Sequence, residues 1–251
     1  MIVSHKYKYI FTKPRKVAST SLEIALSQHC GPEDIITPNI SSNKIDDDSY
    51  TDRAQNDVGF FNHIRPSRIK KKIGSKTFNE YTVFTVVRNP WDMLVSRYFW
   101  ETSGGAPVHK TPSQVLGEIR RKPLNLDLYG KLFNALRWKI GKKDVGPGDS
   151  FETFMKKLPL NYSNKKYYFT WFGTPWNDHV IRYEHLAEDY ETVCTTIGIP
   201  YEPLPHLKTK TRKSRDYREF YTPKTRKWVE KKFKKEIATF GYSFDDYEEW
   251  N

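Results

Sequence analysis

Residues 83–100 read VFTVVRNPWDMLVSRYFW. With Tyr81 and Thr82 in front, the run YTVFTVV is nearly continuously apolar and β-branched. That is the composition of a strand buried on both faces. Arg88 ends the run, Asn89 offers an N-cap, and Pro90 takes the first helical position. Trp91 to Trp100 continues as a helix. A doubly buried strand feeding directly into a helix is the repeating unit of an α/β sheet.

The same transition occurs earlier in the chain. Tyr7 to Thr12 (YKYIFT) is β-prone, and Thr20 to Gln28 (TSLEIALSQ) is helix-prone, stopped by Cys30-Gly31-Pro32. It occurs again at His179 to Tyr183 (HVIRY), followed by a helix from Glu184 to Ile197 that Gly198 and Pro200 stop. Thr111-Pro112 and Thr222-Pro223 are further helix starts. Pro223 to Phe240 reads as one amphipathic helix closed by Gly241. Arg65 to Lys72 reads as an exposed basic helical face, and Asp46, Asp47 and Asp48 as a solvated loop. No repeat or low-complexity linker interrupts residues 1–251. The pattern predicts α/β architecture: a single domain with a central parallel β-sheet flanked by helices.

Composition bounds the function. The 251 residues carry 42 Lys plus Arg against 30 Asp plus Glu, a net charge of +12. Anionic partners are implied, though a lysine-rich surface alone gives the same sum. Hydrophobic residues are 37% of the chain, but aromatics reach 15%, enough to fill a core. The two cysteines, Cys30 and Cys194, have no metal-site spacing and form no disulfide framework. The N-terminus MIVSHKYKYIFTK lacks a signal-peptide stretch, and no window approaches the roughly 20 apolar residues of a membrane span. A cytoplasmic location is the expectation.

Residues 12–23 read TKPRKVASTSLE. A turn from strand to helix exposes backbone N–H groups at the helix start, where the helix dipole favours negative charge. Ser19, Thr20 and Ser21 add hydroxyl donors, and Lys16 adds a cation. The glycine-rich GxxxxGK[ST] loop is absent, which disfavours a standard ATP or GTP site. An ordinary capped helix is the plain alternative. Arg88, at the end of the best strand, and Ser96, two turns into the next helix, form a second anion site. Two such sites suit a ligand with two separate anionic groups.

This pair resembles the sulfotransferase family, whose donor is 3′-phosphoadenosine 5′-phosphosulfate (PAPS). RKVASTS (15–21) looks like the family's 5′-phosphosulfate loop, and VVRNPWDMLVSRY (86–98) like its 3′-phosphate segment. IRYEHLAEDYETV (181–193) and the stretch from Tyr221 to Gly241 are similar to family segments. The closest likeness is to carbohydrate O-sulfotransferases such as the uronyl 2-O-sulfotransferases. The resemblance implies a P-loop-like architecture with the phosphosulfate loop at 14–22, the 3′-phosphate segment at 83–100 and a C-terminal segment at 180–245. It implies PAPS as donor, 3′-phosphoadenosine 5′-phosphate (PAP) as product, no metal, and an acceptor hydroxyl of a sugar or glycan. Arg15, Lys16, Val17, Ala18, Ser19, Thr20, Ser21, Arg88 and Ser96 are the implied cofactor contacts. Thr211, Arg212 and Lys213, in a basic stretch, are further contacts that relatives suggest. Two departures stand out. Where the family has Pro-Lys, this chain has Pro14-Arg15-Lys16. Aligned from the ASTS side, Lys16 is the family lysine, with Arg15 as the alternative that shares its role. Val17 replaces the usual Thr.

Lys16 is then the catalytic cation. His63, in FFNHIRPSR, lies before the 3′-phosphate strand, as a catalytic His does in related enzymes, and is the expected base. Asp178, His179 and Glu23 are reserve candidates. Arg65, Arg68 and Lys70 to Lys72 are candidate contacts to an acidic acceptor. Two other classes remain: a nucleotide enzyme of kinase type with an atypical loop, and a non-enzymatic binder of polyanions. Nucleic acid is not among the expected partners.

Overall fold

The computed structural model describes residues 1–38, 54–103, 112–121, 145–158, 162–204 and 216–247, with the single positions 123, 129 and 132. Two compact units emerge, residues 1–96 with 162–251, and residues 97–161.

The first unit holds a five-stranded sheet. Its strands are β1 (Ile2–Ser4), β2 (Tyr9–Thr12), β3 (Ile35–Ile36), β4 (Thr82–Val87) and β5 (His179–Arg182), in the order β3-β1-β2-β4-β5. β2, β4 and β5 are parallel, with Phe11 opposite Phe84 and Phe84 opposite His179. β1 is antiparallel to β2 and to β3, so the sheet is mixed, with a parallel part where the sequence placed it. β1 and β3 have three and two residues, too short for any periodicity to mark them.

Alternate side chains serve opposite faces. Phe11, Phe84, Val86 and Ile181 join one apolar cluster with Leu22, Ala25 and Leu26 of α1 (Ser19–Ser27) and Val193, Cys194 and Ile197 of α8 (Leu186–Ile197). Val3, Ile10 and Val83 join another with Ile69 of α2 (Pro66–Ile73) and Phe78 of α3 (Ser75–Glu80). Helices thus cover both faces, which is why YTVFTVV carries no polar alternation.

Asn89 caps α4 (Pro90–Thr102), accepting from the Trp91 N–H at 3.1 Å. Gly198, at φ 72°, closes α8 in the left-handed conformation. The Pro223–Phe240 segment is two helices: α9 (Pro223–Lys232), opened by a Thr222–Thr225 capping box, and α10 (Lys234–Phe240). The break falls at Phe233, whose φ −106° and ψ 21° leave the helical region while its ring is fully buried. Pattern alone does not show it, because the apolar spacing runs through.

In the second unit, α5 (Pro112–Arg121) packs Val115 and Ile119 near Leu132, and α6 (Phe151–Lys157) sets Phe151 and Phe154 around Tyr98. Among the described residues no helix is long and apolar enough to cross a membrane.

Candidate active site

β2 and β4 are parallel neighbours, so the loops leaving their carboxyl ends lie side by side. The chain leaves β2 towards β3 on one side, while β4 lies on the other. That is a topological switch point, where open α/β sheets leave a crevice for ligands.

The loop after β2 has an unusual backbone. Lys16 (φ 63°) and Ala18 (φ 58°) are left-handed and flank Val17. Alternation of hand over successive residues turns backbone N–H groups into a concave nest. Among the described residues, the N–H groups of Val17, Ala18, Ser19 and Thr20 have no acceptor. No side chain caps α1. Instead the Ser19 hydroxyl donates to the Pro14 carbonyl at 2.9 Å, closing the loop on itself. Of the three hydroxyls expected to reach a ligand, that one is spent internally. The Val17 side chain is fully buried in the core, so this residue offers only its amide.

Asn164, 3% exposed, clamps the loop. Its Nδ2 donates to the Arg15 carbonyl at 2.9 Å, and its Oδ1 accepts the Arg15 N–H at 3.3 Å. It sits before the short helix α7 (Lys165–Tyr168), in a stretch with no sequence signal for such a role.

Arg88 joins the two segments. Its Nη1 donates to the Lys16 carbonyl at 3.4 Å, and its guanidinium pairs with Asp92 at 2.6 Å. The guanidinium also lies 3.8 Å from the centre of the Tyr183 ring. Burial disfavours its charge, but Asp92, with Tyr183 and Glu184, holds the Arg88 pKa above its usual value. Ser96, half-buried, is one turn beyond Asp92 on the same helical face. The neighbouring Asn89 N–H donates to Glu184 at 2.6 Å, and Asn89 Nδ2 donates to the Tyr217 hydroxyl and the Ser243 carbonyl. These bonds tie the strand end to the C-terminal segment. Tyr183, directly after β5, was legible as a strand-end position but not as a stacking partner.

His63 reaches the same loop from the other side. Its Nδ1 is 2.8 Å from the Lys13 carbonyl, which can only accept, so Nδ1 carries the proton and Nε2 keeps a lone pair. The Tyr167 hydroxyl donates to the His63 carbonyl at 2.8 Å and fixes a backbone with φ 60°. Burial is the main reason that the imidazole pKa falls to about 3, with the nearby charges of Lys13 and Arg15 adding to it. The ring is therefore neutral at physiological pH.

Of the reserve candidates, Glu23 and Asp178 have partners. Glu23 is buried and paired with Lys13 and the Met1 amino group. Burial alone would raise its carboxyl, but those two cations hold it below the usual range. Asp178 accepts the Val83 N–H at 2.7 Å, and His179 lies within β5. Lys13 itself, 1% exposed, escaped sequence reading because a lysine beside Pro14, Arg15 and Lys16 looks like surface. Three more cations gather near Tyr167. Arg15 bonds its hydroxyl, and loss of hydration with the like charges of Arg65 and Arg15 lowers the pKa of the surface residue Lys166. Thr211, Arg212 and Lys213, with Asp46 to Asp48, lie outside the described residues.

The arrangement is an α/β fold with a left-handed, amide-lined loop at a switch point and a neutral imidazole beside it. Residues 1–243 match the model of the Sulfotransferase family, and the chain belongs to that family. A solved sulfotransferase from Alicyclobacillus acidocaldarius is similar at 16% identity, covering 94% of this chain and 96% of that one, with a TM-score of 0.37. No curated protein matches the chain.

Proposed function

We propose that this sulfotransferase takes its sulfuryl group from PAPS and delivers it to a hydroxyl of a sugar or glycan that carries its own anionic group. The observation that carries the proposal is the row of amides from Val17 to Thr20, without an acceptor among the described residues, close in sequence to the Lys13 carbonyl that orients His63. A terminal phosphosulfate fits such a nest, because several aligned N–H groups and the start of α1 favour negative charge. Arg88 and Ser96 would hold the 3′-phosphate, and Lys16 would steady charge on the departing 5′-phosphate. Bound there, PAPS supplies an activated sulfuryl group.

The rest is done by the chain. The Lys13 carbonyl keeps His63 in the tautomer whose Nε2 accepts a proton from the attacking hydroxyl. The amides are held in place before the ligand arrives, so no reorganisation is needed as charge develops. Arg15, Arg65 and Lys166, gathered near Tyr167, favour an acceptor with a carboxylate or sulfate of its own.

The test is the melting temperature with and without PAP, at fixed salt and with EDTA, using AMP and ATP as controls. Ligand at 100 times its dissociation constant adds about 2.7 kcal/mol, a shift of several degrees for a chain of this size. A shift with PAP and little with AMP supports the donor. No shift at saturating PAP rejects it. Lys16→Ala is expected to abolish transfer, and retained turnover would remove Lys16 from its role.

A further inference from the structure

Trp171 and Phe172 are adjacent and almost wholly in water, 95% and 93% exposed. They form the tip of a tight turn whose base is firmly held. The Thr170 N–H donates to the Thr174 carbonyl at 2.8 Å, and the Gly173 N–H to the Thr170 carbonyl at 3.1 Å. The two threonine hydroxyls meet at 2.7 Å. Below the tip, Phe169 pairs with Pro175 and stacks on Phe240. Lys235 donates to the Gly173 carbonyl at 2.7 Å. A turn this well pinned keeps two large aromatic side chains in water, although folding into the core would hide them.

The surroundings point to what covers them. Lys165 and Lys166, both exposed, lead into the turn, and Lys234 and Lys235 open α10 beside it. Residues 162–177 contain no Asp or Glu. The nearby Glu236 is buried and bonded to Ser163, so it does not offset this charge at the surface. Two aromatics on a narrow, rigid tip with a collar of lysines match a lipid surface. Trp and Phe settle at the level of the headgroups, and lysines are drawn to anionic lipid. A flat protein partner would instead need a pocket for each ring.

We infer that the turn at residues 170–174 docks the protein onto anionic membrane surfaces, with Trp171 and Phe172 entering the headgroup layer. This docking is separate from donor binding and from the assignment of Lys16 and His63. The experiment is co-sedimentation of the full chain with vesicles of phosphatidylcholine alone or mixed with phosphatidylglycerol, at fixed salt. Wild type is expected to bind the mixed vesicles, and Trp171→Ala with Phe172→Ala to bind them about tenfold less. The melting temperature and the PAP shift of that variant should match wild type, since neither side chain is packed. Brominated lipid should quench wild-type fluorescence more than that of Trp171→Ala. Equal binding by wild type and the double variant would overturn the inference, because the net charge alone would then explain adsorption. Failure of wild type to bind mixed vesicles would overturn it too, and would point to a protein partner for the turn.

Discussion

His63 shows how one hydrogen bond fixes chemistry. Because the Lys13 carbonyl can only accept, the proton of the neutral ring sits on Nδ1, and the burial that keeps the ring neutral leaves the lone pair on Nε2. His63→Ala is expected to lower kcat by about 10²–10⁴ while leaving the PAP-induced melting shift in place, as turnover and thermal measurements on the same variant would check. The depressed pKa also has a sign. An unfolded His takes up a proton near pH 6.5, whereas the folded ring does not until about pH 3. Between those values the unfolded chain binds more protons, so this residue makes stability fall as pH drops. Denaturant titrations at pH 7 and pH 5 should therefore show a smaller difference in His63→Asn than in wild type.

At the scale of elements, the loop after β2 depends on a residue from a different part of the chain. Asn164→Ala leaves both polar groups of the Arg15 backbone without partners, at a cost of about 2 kcal/mol. That corresponds to a drop in melting temperature of roughly 4–8 °C, together with weaker PAP binding; calorimetry with and without PAP measures both. The strand-to-helix junctions themselves were legible: YTVFTVV is nearly continuously apolar, and Asn89-Pro90 and Thr222-Pro223 start helices where they stand. The short antiparallel strands and the break at Phe233 were not, because neither alters the hydrophobic period. In the site, the loop residues and Arg88 could be named from local pattern. Asn164, Tyr167, Tyr183 and the Lys13–Glu23 pair could not, since each acquires its role only through contacts made in the folded chain.

For the molecule as a whole, the charge of +12 acts at a distance. Encounter with an anionic acceptor is expected to be steered electrostatically and to weaken with ionic strength. Initial rates across a salt series should show KM for an acidic glycan rising while kcat holds. Arg65→Gln should raise KM in low salt for the same acceptor and leave a neutral acceptor unaffected.

The clamp between Asn164 and Arg15 spans 149 residues of sequence. β2 must wait for β4 before it gains a parallel neighbour, and the stacking of Tyr183 on Arg88 comes later still. During synthesis this loop leaves the ribosome before Asn164 does, with only its local bonds, such as Ser19 to the Pro14 carbonyl, to shape it until the later segments follow. Pairings this distant are slow to form. The clamp on this loop is thus among the last features the growing polypeptide acquires, and a nascent chain halted before Asn164 would present the full RKVASTS motif without it.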